Sequence, residues 1–328
     1  MSLTQEARFQ ARPPATATQR AATMAWTEFD NPAAWVVAVL LLIMPLIANS
    51  FFLIEIFGTT LILGTIALSL MFLAGYGGMV SLMQLTIAGF AAYMYAVFGI
   101  SSQANISLGW PWWLAVPTAL ALATIFGTLG GALAVRTAGI YTIMITLAIG
   151  AAFYYFTNQN WAIFNGHTGI NTIATPHFAG VDWRSDISFY YVIVATAAFC
   201  YFAVLYLSRA PFGLALQGVR DNPRRMAALG FNVNAHRVAA YADAALIAAL
   251  GGITRPVGPF IGAFIFVILR TFALDLLVKF GLDGNRFRLL IGVGFLVIVF
   301  WSSDGVVGLW DRWRRRNKAG AGGGARHG

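Results

Sequence analysis

What most constrains this chain is a recurrence of apolar runs, each near the length needed to cross a bilayer and separated from the next by a short break. A hydrocarbon core of ~30 Å takes about 20 residues of helix. Such runs lie at Ala33 to Ile54, Ile56 to Leu73, Val80 to Phe98, Trp112 to Val135, Gly139 to Phe156, Ser188 to Leu207, Val238 to Gly252, Gly258 to Val278 and Leu289 to Trp301. Only 10% of the residues are charged, against about 25% in a soluble domain, so water is the wrong solvent for most of this surface. The expected fold class is all-α: a polytopic helical membrane protein with about nine apolar segments. Trp110, Trp112, Trp113, Trp161, Trp183, Trp301 and Trp310 fall at or just beyond segment ends, where an aromatic belt places them.

The net charge of +9 would suit a nucleic-acid binder, but the basic residues lie between and beyond the apolar runs. Arg209, Arg220, Arg224, Arg225 and Arg237 share one loop, and Arg312 to Lys318 form a cluster at the carboxyl end. Loops of this kind sit in the cytoplasm under the positive-inside rule. Basic residues interleaved with aromatics on one face, the footprint of nucleic-acid recognition, are not found, so the expected surroundings are a lipid bilayer and not a nucleic acid.

Arg8, Arg12 and Arg20 precede the first run and Arg136 lies between the fourth and fifth. With six crossings these and the loop Ser208 to Arg237 all fall on the cytoplasmic side, leaving Gly99 to Pro111 and Thr157 to Ile187 as outer loops. Residues 1–32 are polar, carry Pro13 and Pro14 and lack the early apolar core of a secretory signal; they read as a disordered cytoplasmic tail. Residues 308–328 read as a basic cytoplasmic tail. Three further crossings would put that second tail outside, against its charge. Either one segment does not cross, or a span is missing near residue 250. The seventh segment is short and runs into Gly251, Gly252, Arg255 and Pro256, as a re-entrant piece would.

The run Gly75-Tyr76-Gly77-Gly78-Met79-Val80-Ser81 interrupts the helix pattern. A turn between spans and a break lining a pathway, as in transporters built on discontinuous helices, both fit it. Gly127 and Gly131 have the GxxxG spacing that lets helices approach closely. Asp243 lies inside a run, where it faces a polar path, reaches back to the interface or pairs with a neighbouring helix. Asp275 and Lys279 have the i,i+4 spacing of an ion pair, and Glu55 marks the expected exit of the first span. Cys200 has no partner cysteine and reads as a small buried residue. Neither HExxH, GxSxG nor GxxxxGK[ST] is found. The expectation is a non-enzyme without catalytic residues, metal or cofactor, in which any ATP would be bound by another subunit.

Several stretches, in order, resemble the LivM-type permease subunits of bacterial branched-chain amino-acid ABC importers. Leu73-Ala74-Gly75-Tyr76-Gly77-Gly78-Met79-Val80-Ser81-Leu82, continuing to Gly89-Phe90-Ala91-Ala92-Tyr93, is similar to the family's glycine-rich segment. Gly139 to Ala148 resembles its P-Y-F-A-I-V-T-L-A, and Asn165-Gly166-His167-Thr168-Gly169-Ile170 its outer-loop turn. The most specific stretch is Ser208-Arg209-Ala210-Pro211-Phe212-Gly213-Leu214-Ala215-Leu216, continuing through Val219-Arg220-Asp221-Asn222-Pro223 to Ala227-Ala228-Leu229-Gly230-Phe231. Gly258 to Ala263 and Arg288 to Gly292 resemble the closing spans.

The resemblance implies a transmembrane permease domain at 33–307 whose cytoplasmic loop 208–237 couples to an ATPase, with Arg220, Asp221, Ala227, Ala228 and Gly230 in the coupling segment. Candidates for the translocation pathway are Gly75, Gly77, Gly78, Ser81, Tyr141 and Thr142. It further implies a second permease subunit, cytoplasmic ATP-binding subunits, a periplasmic substrate-binding protein, and a multi-pass position in the bacterial inner membrane. The cargo is then a branched-chain or related small amino acid, with urea or another amide as the alternative within the family. A secondary transporter or channel is the alternative outside it. Two departures stand out. Arg224 and Arg225 replace the acidic residue that usually opens the coupling core, and a loop and apolar segment of the family are missing between the helix of Asp243 and Gly251-Gly252, where the charge rule also fails.

Overall fold

A computed structural model describes residues 32–101, 107–137, 139–170 and 185–250, together with 263, 264, 267, 268 and 271. The tails, the Gly251-Gly252 turn, the ninth expected segment and nearly all of the eighth lie outside the described residues, as do Asp275 and Lys279.

Regular structure among the described residues is helical: α1 (Pro32–Ile47), α2 (Phe52–Tyr76), α3 (Gln84–Phe98), α4 (Trp112–Ala134), α5 (Ile140–Gln159), α6 (Asp186–Arg209), α7 (Pro211–Asp221), α8 (Pro223–Ala228) and α9 (Val233–Leu250), with single helical turns at Trp161–Phe164 and Gly166–Thr168. Four of them, α2, α4, α5 and α6, are long and apolar enough to cross a membrane, and α3 is a shorter apolar helix.

Two boundaries differ from the sequence expectation. The first interruption falls at Ala48 and Asn49, not at Glu55. Pro45 inside α1 removes a backbone donor, and Asn49 favours non-helical backbone, whereas Glu55 is exposed within α2 and gives the helix no reason to stop. The seventh segment is also longer than its apolar pattern. It starts at Val233, where the Asn232 side chain accepts a hydrogen bond from the Ala235 N–H (3.0 Å) and caps the helix. At 18 residues and 1.5 Å per residue, α9 is about 27 Å long.

Packing centres on α9, which lies against α4, α3 and α2. Ala240, Tyr241, Ala244, Ala245, Ile247 and Ala248 are buried on it. On α4 the facing residues recur every fourth position: Ala115, Ala119, Ala123, Gly127 and Gly131. A methyl group on Gly131 would overlap Tyr241, and one on Gly127 would overlap Ala245 and Ile87. The GxxxG pair is therefore a site of close helix approach, held by van der Waals contact. Ile125, Leu129 and Leu133 face outward from the same helix and are exposed, as side chains bound for lipid should be. On the other flank, Tyr190 and Tyr191 of α6 donate to the carbonyls of Leu41 and Leu42 (both 3.1 Å) and tie down α1.

The Tyr241 hydroxyl is buried and has no hydrogen-bond partner among the described residues. An unpaired buried polar group carries a desolvation cost of about 1–3 kcal/mol. Tyr241→Phe is accordingly expected to leave thermal stability in detergent unchanged or raised; a lowered midpoint would mean that the hydroxyl is satisfied.

Candidate functional site

The basic loop is a rigid knuckle, and its turns show why. Pro211 opens α7 at a position where a missing N–H costs nothing. Gly213 comes so close to the backbone of Leu207 and Ser208 that a methyl group there would overlap both. The Gln217 side chain donates back to the Ser208 carbonyl (3.1 Å). At the next corner the Asn222 side chain accepts from the Arg225 N–H (3.0 Å), and Pro223 opens α8.

The far end of α8 closes with a Schellman turn. Gly230 has φ +89°, its N–H donates to the Ala227 carbonyl (3.0 Å), and the Phe231 N–H donates to the Met226 carbonyl (3.1 Å). This pairing satisfies the last carbonyls of a helix and favours glycine at the left-handed position. The knuckle is held to its surroundings by side chains. Met226 lies against Gly218 of α7, and the His236 ring contacts Phe212 and Phe231 at centroid distances of 6.0 and 5.5 Å.

The two faces of the knuckle differ. Leu216 and Val219 of α7 are fully buried, whereas no residue of α8 is buried. Arg224, Arg225, Ala227, Ala228, Leu229 and Gly230 are all exposed, with Leu229 at 67%. The knuckle thus turns two arginines and a leucine outward while its apolar side is held by the bundle.

The glycine-rich break lies under the buried face. The last turn of α2, Phe72–Tyr76, is a wide π turn. Gly78 follows with φ +65°, and Ser81 is buried with its hydroxyl accepting from the Met83 N–H (3.4 Å). Leu216 approaches Gly77, and the aliphatic stem of Arg220 rests on Gly78, where any Cβ would collide with it. The Arg220 guanidinium donates to the Gly75 carbonyl, while its Nε donates to Asp221 (2.8 Å).

Of the residues singled out from the sequence, the structure brings Arg220 of the loop onto Gly75 and Gly78 of the break, with Leu216 against Gly77 and Ser81 a few residues on. Asp221 reaches this group through Arg220. Ala227, Ala228 and Gly230 stay on the exposed face. Tyr141 is 65% exposed, and the Thr142 hydroxyl donates to the Thr137 carbonyl (3.2 Å) within its own corner. It is Thr146, one turn further along α5, that touches the break, accepting from the Leu82 N–H (3.2 Å). Asp243 of α9 makes no ion pair with a described residue.

Thr146 and Gln84 went unmarked in the sequence. Gln84 opens α3 and is 3% exposed, with neither amide atom paired among the described residues. The signal for both was available: a polar side chain inside an apolar run beside a helix break is expensive unless it is used.

A family model described as the permease component of the branched-chain amino acid transport system matches residues 52–254. The chain belongs to this family. No curated protein and no solved structure matches it. The matched stretch runs from the first residue of α2 to just beyond α9, so it contains the break, the knuckle and every residue of the candidate site. The permease is thus a multi-pass helical membrane protein and a transport subunit, not an enzyme, and as one component of a system it works with partner subunits.

Proposed function

We propose that the chain is the permease subunit of an ATP-binding-cassette importer in a bacterial inner membrane. It pairs with a second permease subunit and receives a branched-chain or related small amino acid from a periplasmic binding protein. Cytoplasmic ATP-binding subunits drive its alternation. No cofactor is held by this subunit. The observation that carries the reading is the knuckle: a capped, exposed α8 bearing Arg224, Arg225 and Leu229, built on an α7 whose other face is sunk into the bundle. A partner gripping α8 would move α7, and α7 rests on the break between α2 and α3.

Uptake of labelled leucine by cells expressing the transporter tests this reading. Gly230→Asp adds a side chain into open space but forces a left-handed conformation that costs about 1–2 kcal/mol, enough to disorder the end of a six-residue helix. Uptake is expected to fall sharply at unchanged protein level, and to stop in ATP-depleted cells. Uptake that survives both treatments contradicts the proposal.

A further inference from the structure

The coupling segment is expected to meet the ATPase, yet Arg220, whose side chain is 39% exposed, is bound to the α2–α3 break. Its guanidinium is hydrogen-bonded to the Gly75 carbonyl, 145 residues away in sequence. Its stem lies on Gly78, which has no side chain to push it off and adopts φ +65°. Asp221 accepts from Nε (2.8 Å), which fixes the guanidinium plane and leaves Nη1 on the carbonyl. The wide last turn of α2 ends at Tyr76, so Gly75 supplies a carbonyl close to the helix end, where backbone acceptors lose their helical partners.

We infer that Arg220 is a positioning residue, a strut that ties the coupling helices to the α2–α3 break so that movement of α8 reaches the break as a rigid displacement. This rests on the ATP-driven reading above. It gives Arg220 a role at the surface junction of α7 with the break and leaves contact with the ATPase to the exposed face of α8. Arginine suits the role because its planar fork can hold a carbonyl and a carboxylate at once while its stem packs along the chain. Lysine would keep the stem and one donor direction but could not hold both partners in the same plane.

The test uses the complete transporter, with both permeases, ATPase subunits and binding protein, in proteoliposomes, and reads the amount of substrate moved per ATP hydrolysed. Co-purification of the subunits shows that each variant assembles. Arg220→Ala and Arg220→Met are expected to assemble and to lower the ratio severalfold; the bond is partly exposed, so its loss weakens the link without abolishing it. Arg220→Met keeps the packing on Gly78, so it separates the donor from the stem, and Arg220→Lys should recover part of the ratio. A purely structural role would lower assembly without changing the ratio in the complexes that form, and that result overturns the inference.

A covalent substitute gives a second arm. A Cβ at position 78 would lie 3.4 Å from Cβ of Arg220, close to the ~3.8 Å of a disulfide. In a Cys200→Ala background, Gly78→Cys with Arg220→Cys is expected to be uncoupled when reduced and to regain transport when oxidised. A pair that forms the disulfide yet stays uncoupled overturns the strut. Should the strained cysteine at position 78 prevent assembly, the alanine, methionine and lysine variants decide the question. ATP-independent uptake by the unmodified permease would remove the importer reading and the strut together. ATP-driven uptake with a wild-type ratio in Arg220→Ala would remove the strut alone.

Discussion

Gly131→Leu is expected to lower the unfolding free energy of the permease by about 3 kcal/mol, the upper part of the usual range for overpacking. The cause is local. Even a methyl group at this position would overlap Tyr241, on the helix at the centre of the packing. Tyr241 is fully buried, so it has no free space to turn into, and relief requires α4 and α9 to separate along their whole shared face. Gly131→Ala should lose less, in the order of side-chain size. Gly89→Ala is the matching control: a methyl group there meets nothing within 4 Å, and alanine is favoured over glycine inside a helix by about 1 kcal/mol. Thermal unfolding in detergent, followed by tryptophan fluorescence, checks the order Gly89→Ala, wild type, Gly131→Ala, Gly131→Leu.

A different kind of damage is expected from Gly213→Ala. The methyl group would meet backbone, the Leu207 carbonyl and the Ser208 main chain, which cannot rotate away as a side chain can. The corner between α6 and α7 must open, and α7 then lifts Leu216 and Arg220 from the break. Stability is expected to fall by about 1–3 kcal/mol, and uptake should be nearly abolished even in the protein that remains folded. Normal uptake in Gly213→Ala at normal expression would mean that seating of α7 on the break is unimportant.

The membrane class and the helical fold were legible in the sequence because apolar run length responds to bilayer thickness and little else. Helix ends were less legible. The seventh run began too late by pattern because Val233 to Arg237 include Asn234, His236 and Arg237. These residues are helical through the Asn232 cap and not through apolar content. Glu55 looked like a boundary because a charge in an apolar run usually marks one, yet an exposed carboxylate on a continuous helix costs little. Gly127 and Gly131 could be placed at a helix contact from spacing alone, but that their partners are Ala245 and Tyr241 depends on tertiary arrangement.

At the candidate site, the loop and the break were each visible as clusters of Gly, Pro and Arg. Their meeting was not, since nothing in the order of residues says that Arg220 reaches the Gly75 carbonyl. Gln84 is one polar residue that hardly disturbs an apolar pattern; its importance appears only when burial and the lack of partners among the described residues are known together.

The proposed drive is a soluble ATPase acting on the permease through the α7–α8 knuckle. The most direct measurement is uptake of a labelled branched-chain amino acid by proteoliposomes holding the permease with its partner subunits and the binding protein, with ATP supplied only on the cytoplasmic face and no ion gradient imposed. Accumulation that requires hydrolysable ATP, and that is lost when Gly230→Asp is introduced, is the predicted result. Accumulation driven by an imposed proton or sodium gradient without ATP would contradict it.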